Sequence, residues 1–470
     1  MSTEPLRIAI VGHTNAGKTS LLRTLTRQVD FGEVSERPGT TRHAETIDLR
    51  LHDRVAVRFI DTPGLEDSVA LLEYLQQLDG ESRPAKVRAF LAGPEARASF
   101  EQEAKVLRAL IGDADAAMVV IDTREPVLPK YRAEIEILTW CAKPVMPVLN
   151  FVRYLNSRRD DWHQMLLEAG LHARVEFDVV APFNGSEQQL YSDLATLLPA
   201  RRAQLNGIVD ALAQQARERR LAACRVVATA LIDVAAMRRA LPAEEFADEA
   251  RQKTFVRAFQ DDVRRHARRA VDELLAVFAF RASDAELNEL PQLAGRWEDD
   301  LFNPDLLMAA GKRLGLGAMI GAGIGAVSDV AMAGLSLGAA TTLGATLGGA
   351  ASGGWKPLWR KLENRLNGVQ DLTVEDPVLL VLADHLLDLA RALEQRGHAA
   401  VDRLHVDDAH VDDGLQDVVR ALGPARGHPD WERGVLRAAL GSHGSGERQA
   451  VEATVARRLL DRFGPATAAT

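Results

Sequence analysis

A chain of 470 residues exceeds one compact core, and at ~150 residues per domain it divides into two or three units. Hydrophobic residues at 47% and charged residues at 26% exclude wholesale disorder, and a formal charge of −9 disfavours a general nucleic-acid binder, whose affinity comes from clustered Lys and Arg. Cys141 and Cys224 cannot build a disulfide framework, and no signal sequence separates the opening "MSTEPLR" from the first strand-like run, so the expected setting is reducing and cytoplasmic.

The first predicted strand, Arg7–Val11, runs into "GHTNAGKT" and then into the helical "SLLRTLTRQ". Gly12, Gly17, Lys18 and Thr19 stand at Walker A spacing in the order strand, loop, helix. Glycines let backbone amides fold around phosphates, the helix directs its positive end at them, and Lys18 and the Thr19 hydroxyl serve phosphate oxygens and Mg2+. The expected nucleotide-binding set is Gly12, His13, Thr14, Asn15, Ala16, Gly17, Lys18, Thr19 and Ser20, with Lys18 also catalytic.

A further apolar strand, Val55–Asp61, ends in "DTPG". Asp61 is expected to hold Mg2+ through water, and the catalytic Gly64 amide to meet the γ-phosphate, so that loss of that phosphate releases the following loop. Between the two motifs lies "RPGTTRH", in which Thr41 is the candidate switch threonine on Mg2+, with Thr40 as the alternative.

The combination "NAGKT", "PGTTR" and "DTPGL" resembles the TrmE–Era–EngA group of P-loop GTPases. The whole chain also looks like bacterial GTPases that carry a C-terminal domain of unknown function. The motif resemblance covers roughly the first 200 residues; the wider likeness rests on overall layout and a glycine-rich segment. It implies GTP and GDP as ligands, Mg2+ as cofactor, and a P-loop asparagine, here Asn15, that helps bind K+. Leu65 follows Gly64 where Ras-like proteins carry a water-orienting Gln, so hydrolysis is expected to be slow. Glu66, Asp67, potassium or a partner's residue are the open alternatives for placing the water, and the partners expected are an activating protein or a second copy.

At the base site the resemblance breaks. Guanine specificity in this group comes from Asn-Lys-x-Asp after a buried strand, whereas "PVMPVL" leads here to Asn150, Phe151, Val152 and Arg153. Asn150 and Phe151 join the expected nucleotide-binding set, Phe151 by offering a flat apolar face in place of the lysine stem. Arg153 cannot replace the aspartate, because a guanidinium only donates hydrogen bonds. Asp160 and Asp161 are further candidates, "VVAPFNG" is the expected last strand and loop beside the base, and selectivity for guanine is expected to be relaxed.

The remaining strands are predicted at Glu45–His52, Ala116–Asp122, Pro144–Asn150 and Arg174–Ala181, with helical patterns such as "SFEQEAKVLRALI" between Gly64 and Ala116. The fold class expected is an α/β P-loop NTPase domain, a mostly parallel six-stranded sheet flanked by helices, followed by a mainly α-helical C-terminal region with a Gly/Ala-rich segment. The divisions expected are a GTPase domain over 1–203 with a helical insertion after the second switch, a helical region over 204–305, a Gly-rich helical hairpin over 306–355 and a helical region over 356–470.

In "EEFADEARQKTFVRAFQDDVRRHARRAVDELLAVF", Phe246, Phe255, Val256, Phe259, Val263, Ala267 and Val271 recur at helical intervals, as in a bundle helix with an Arg-rich solvated back. From Leu314 to Gly354, glycines recur every fourth residue and Asp329 is the only charge. Three readings stay open for 314–354: a hairpin anchored at the inner membrane, close-packed helices inside a soluble domain, or a linker. Lys312 and Arg313 before it, and Lys356, Arg360, Lys361 and Arg365 after it, suit a hairpin that enters and leaves on the cytoplasmic side. "HVDDAHVDD" is either a divalent-ion site or an acidic turn. The function expected is a GTP-binding switch, cytoplasmic or peripheral at the inner membrane, with no nucleic acid favoured. An Era-like ribosome or RNA assembly GTPase and a non-hydrolysing nucleotide-binding membrane or scaffold protein are the alternatives.

Overall fold

The computed structural model describes residues 4–26, 45–51, 54–179, 185–242, 244, 248–278, 301–314, 335–337, 369–395, 414–433 and 445–463. The chain forms two compact units, the first built mainly on 1–216 and the second on 217–394 and 403–465.

The first unit is a sheet of six strands, β1 (Leu6–Val11), β2 (Glu45–Leu51), β3 (Arg54–Asp61), β4 (Ala116–Asp122), β5 (Val145–Asn150) and β6 (Val175–Glu176), in the order β2-β3-β1-β4-β5-β6. Only the β2–β3 pair is antiparallel. Alternation along the strands splits the core in two. Ile8, Ile10, Met118 and Val120 face one layer, and Ala9, Val11, Ala117, Val119 and Ile121 face the other. Being apolar on both faces, β1 and β4 must be covered on both sides. One side is covered by α1 (Lys18–Thr26), α7 (Ser186–Leu197) and the first part of α8 (Arg202–Ala236), which adds Leu205, Ile208 and Leu212 to that core. The other is covered by α2 (Ser68–Gln77), α3 (Arg83–Ala92), α4 (Glu101–Arg108), α5 (Pro129–Trp140) and α6 (Arg159–Glu168), through Leu71, Phe90, Leu107, Ile135 and Trp162 among others. The helical patterns read between Gly64 and Ala116 are α2, α3 and α4. Asp67 caps α2 by accepting from the Ala70 amide at 3.4 Å, and Ser82 caps α3 by accepting from the Ala85 amide at 3.3 Å. Of the expected Arg174–Ala181, β6 covers Val175–Glu176 among the described residues, where it pairs with β5.

The second unit holds the rest of α8 with α9 (Glu249–Val277), α10 (Pro304–Arg313), α11 (Asp376–Gln395), α12 (Gln416–Ala421) and α13 (Ser445–Phe463). On α9, Val256, Phe259, Val263 and Ala267 are buried, with Phe255 and Val271 packed beside them, as helical periodicity requires. Phe246 lies outside the described residues. A correction concerns strands: the region read as helical also contains a three-stranded antiparallel sheet, in the order β7-β9-β8, of β7 (Arg238–Pro242), β8 (Leu335–Leu337) and β9 (Val369–Val374). β8 falls inside the Gly-rich stretch expected to be a helical hairpin. Its "LSL" sequence is too short to carry a periodic signal, and only pairing with β9 makes it a strand. Nearly all the rest of 314–354, and all of "HVDDAHVDD", lie outside the described residues. Among the described residues no helix is long and apolar enough to cross a membrane.

A buried ion network closes this second unit. Asp233 of α8, fully buried, accepts from Arg433 Nε at 2.6 Å and from Arg448 Nη2 of α13 at 2.9 Å. Alongside, Arg239 of β7 donates from both terminal nitrogens to Glu432, each bond 2.7 Å long, and also reaches Asp262 of α9 at 3.0 Å. These hydrogen bonds, with His266, hold the Glu432 carboxyl down to about 2 despite its burial. Removing Asp233 leaves two guanidinium groups facing a void. Asp233→Ala should cost about 2–4 kcal/mol, less than for a fully buried pair because both arginines are partly hydrated. Denaturant unfolding read by amide exchange in α8 and α13 checks this, and unchanged protection would refute it.

Candidate functional site

The loop between β1 and α1 is shaped by its backbone. Gly12 sits at φ 138, and a Cβ there would lie 2.4 Å from the Val120 carbonyl oxygen, so no side chain fits. Asn15 follows in the left-handed region at φ 66, with its side chain exposed. Lys18, 7% exposed at the start of α1, folds back to donate to the carbonyls of Gly12 at 2.8 Å and His13 at 3.1 Å. Burial pushes its pKa down, while Asp61 and Glu134 hold it up. Ala16 is buried, and Thr14, Thr19 and Ser20 are half-buried around the same loop.

β3 delivers Asp61, 1% exposed, directly beside α1, where Thr19 Oγ1 donates to Asp61 Oδ2 at 3.0 Å. Asp61 Oδ1 is buried and has no hydrogen-bond partner among the described residues. Burial pushes this carboxyl up to about 6, against the lowering pull of Lys18 and the Thr19 hydrogen bond. An orphaned carboxylate oxygen next to a hydroxyl is a donor pair that suits a hard divalent cation such as Mg2+. Thr62 is anchored by its hydroxyl to the Ile10 carbonyl at 2.7 Å, which carries the chain to Gly64. A Cβ at Gly64 would approach Thr14 Oγ1 to 2.7 Å and the Thr14 amide nitrogen to 2.9 Å, so this segment lies against the P-loop. Leu65, 1% exposed, is a core residue. The Asp67 amide donates to buried Glu103 of α4 at 3.0 Å, and Ser68 donates to the Lys130 carbonyl of α5 at 2.7 Å. Thr41 and Thr40 lie outside the described residues.

The third edge of the site is the end of β5. Asn150, fully buried, donates from Nδ2 to the Ala16 carbonyl at 2.9 Å, and its Oδ1 accepts from Phe151 N at 2.9 Å and Val179 N at 3.1 Å. Phe151 is left-handed at φ 59, an unusual state for a bulky side chain. Arg153 is exposed, and its amide donates to the buried carboxylate of Asp178 at 3.3 Å. Asp160 and Asp161 stand exposed on the first turn of α6, beside Arg159 and Arg158 respectively. Of "VVAPFNG", only Val179 and Gly185 fall among the described residues.

Sequence reading missed a buried charged layer behind the P-loop. Lys130 of α5 donates to His13 Nε2 at 2.9 Å, and His13 packs edge-on to Tyr131 with centroids 5.2 Å apart. Burial and the ammonium of Lys130 keep this imidazole below its usual range. Glu134 of α5 is 3% exposed, its Oε1 has no hydrogen-bond partner among the described residues, and it lines a cavity of about 210 Å³ with His13, Lys130, Tyr131 and Trp162. Its only sequence signal was an acid on the buried face of an amphipathic helix.

A family model described as a domain of unknown function (DUF3482) matches residues 163–457, and one described as a 50S ribosome-binding GTPase matches residues 7–151. The chain is 32% identical over 143 residues to GTPase Der of Azorhizobium caulinodans, covering 30% of this chain and 25% of that protein. It is 40% identical over 87 residues to the tRNA modification GTPase MnmE of Cereibacter sphaeroides, covering 18% and 20% respectively. The chain thus spans a quarter or less of the length of these curated relatives. The crystal structure of Era from Aquifex aeolicus bound to GDP and AlF4− aligns at 20% identity with a TM-score of 0.27, covering 37% of this chain and 50% of that one.

Burial pushes Glu134 from 4.5 up to about 7, although Lys18 and Lys130 pull it down. A carboxyl raised in this way stabilises the fold below its unfolded value, and that contribution is lost as pH rises through the folded value. Amide exchange of β4 and β5 should therefore show protection falling by roughly 1–3 kcal/mol between pH 4.5 and 7. Glu134→Gln should flatten that slope; an equal slope in the variant would assign it to another group.

Proposed function

For a chain that belongs to the DUF3482 family and carries a GTPase domain ahead of that region, we propose a nucleotide switch that binds GTP with Mg2+ and hydrolyses it slowly. The observation that carries the reading is the convergence of Lys18, Thr19 and Asp61, drawn from two strand ends, with an orphaned carboxylate oxygen beside the hydroxyl. On this reading the amides of 12–20 cradle the phosphates, and Lys18 leaves the Gly12 and His13 carbonyls for phosphate oxygens. Thr19 and Asp61 hold Mg2+ with Thr41 as the switch ligand, and Gly64 meets the γ-phosphate. Asn15 takes K+ as a second cation. Hydrolysis is slow because Leu65, where a glutamine would orient water, is buried in the core, so an activating protein or a second copy completes the site. Asn150 and Phe151 border the base, and with Arg153 in place of an acceptor the preference for guanine over adenine is relaxed.

Phosphate release and competition binding test this directly. Wild-type protein should bind GTP with Mg2+ and turn it over slowly, faster in K+ than in Na+. Lys18→Ala and Thr19→Ala should each weaken nucleotide binding at least about tenfold, the scale of one charge-assisted hydrogen bond. Normal affinity and turnover in both variants would sink the reading, whereas binding without phosphate release would leave a non-hydrolysing scaffold.

Action at the inner membrane is the finer part of this proposal, motivated by the basic residues that bracket 314–354. Ribosome binding is the second reading, favoured by the description of the model matched over 7–151 and opposed by the −9 charge. Sedimentation with anionic phospholipid vesicles and with ribosomal particles, in GTP and in GDP, separates them. The membrane reading expects GTP-dependent recovery with vesicles, and recovery with ribosomal particles alone would replace it.

A further inference from the structure

Resting on the reading above, we infer that Arg124 and Phe151 form one composite plate for the purine ring of the bound nucleotide, with Arg124 positioning the aromatic ring. Arg124 follows β4, outside the stretch where a base-reading residue was sought. Its guanidinium carbon lies 3.7 Å from the centre of the Phe151 ring, a stacked cation–π contact. Asp122 fixes that guanidinium from the side: Nε donates to Oδ1 at 2.9 Å and Nη2 to Oδ2 at 2.7 Å, while the Arg124 amide also donates to Oδ1 at 2.9 Å. One planar group is thus held by a carboxylate in its plane and by an aromatic ring across its face, a combination open to Arg and not to Lys.

The loops that carry the plate are tied together. Asp122 faces Asn150 in the β4–β5 register, and Thr123 donates to the Asn150 carbonyl from its amide at 3.1 Å and its hydroxyl at 2.7 Å. The Ser157 hydroxyl in turn donates to Thr123 Oγ1 at 2.9 Å. Phe151 therefore keeps its left-handed backbone because Asn150 below it and Arg124 above it both hold it there. The ring edge stands at the phosphate cradle: a Cβ placed on Gly17 would be 3.7 Å from Phe151 Cζ. A flat apolar surface at that distance from the P-loop is where the base of a nucleotide held by its phosphates would come to rest. Stacking accepts any purine, so the plate distinguishes nucleotides from base-free polyphosphates, and does not distinguish guanine from adenine.

The test measures affinities for GTP, ATP and inorganic triphosphate, all with Mg2+, in wild type, Phe151→Ala, Arg124→Gln, Arg124→Lys and the Arg124→Gln, Phe151→Ala double variant. Phe151→Ala should lose about 5- to 150-fold for both nucleotides, and Arg124→Gln about 2- to 30-fold. Arg124→Lys should fall between wild type and Arg124→Gln, and the double variant should be no weaker than Phe151→Ala alone. Inorganic triphosphate should bind all five proteins alike. Equal losses for inorganic triphosphate, additive losses in the double variant, or wild-type nucleotide affinity in Arg124→Gln would each overturn the inference. If Arg124→Gln does not fold, Arg124→Lys carries the same comparison. Failure of wild type to bind any of the three ligands would strike the proposed function itself, whereas normal binding with unresponsive Arg124 variants would strike this inference alone.

Discussion

The carboxamide of Asn150 joins segments that lie far apart in sequence, bonding to Ala16 of the P-loop, Phe151 of its own turn and Val179 of the segment that follows β6. Because the side chain is fully buried, each of these bonds replaces water that cannot reach it, and none can be lost without leaving a backbone group unsatisfied. The phosphate loop and the base-side loops are therefore placed by one residue. The left-handed Phe151, the seat of Arg124 and the approach of Asp178 to the Arg153 amide all depend on where that carboxamide sets the chain. An asparagine is suited to this place because it donates and accepts at once without carrying charge into a dry site.

Around Lys18 the constraint is electrostatic. A buried ammonium needs counter-charge, and it has Asp61 on the β3 side and Glu134 on the α5 side, both pushed upward by the same burial. Lys130 and His13 extend this layer to the back of the P-loop. The chain after Gly64 is fastened to the same elements, through Asp67 to Glu103 of α4 and Ser68 to α5. The segment that follows β3 is thus bonded directly to α4 and α5.

After β5 the chain departs from the Asn-Lys-x-Asp pattern with Phe151, Val152 and Arg153. Asp160 and Asp161 stand on the exposed face of α6, while the nearby buried carboxylate is Asp178, brought in by β6. From the end of β4, Arg124 places its guanidinium over the ring of Phe151, the residue at the lysine's position in that pattern. A guanidinium and a flat ring thus meet here although they follow two different strands, β4 and β5.

Much of the first unit was legible in the residue order because its signals are local: near-continuous apolar runs in β1 and β4, glycines where no Cβ fits, and a Lys-Thr pair opening a helix. The six strands, the phosphate loop and the nearness of Asp61 to Thr19 all follow from such patterns. Glu134, Lys130, Arg124 and Asp178 were not legible, since nothing in their neighbours' spacing marks them and only packing brings them to the site. The small sheet of the second unit escaped for a similar reason: β7, β8 and β9 are short, and their hydrogen-bond partners are far away along the chain. Sequence by itself determined the elements whose stability is written into adjacent residues, and tertiary structure alone decided which charges are buried together, because desolvation depends on what surrounds a group rather than on what precedes it.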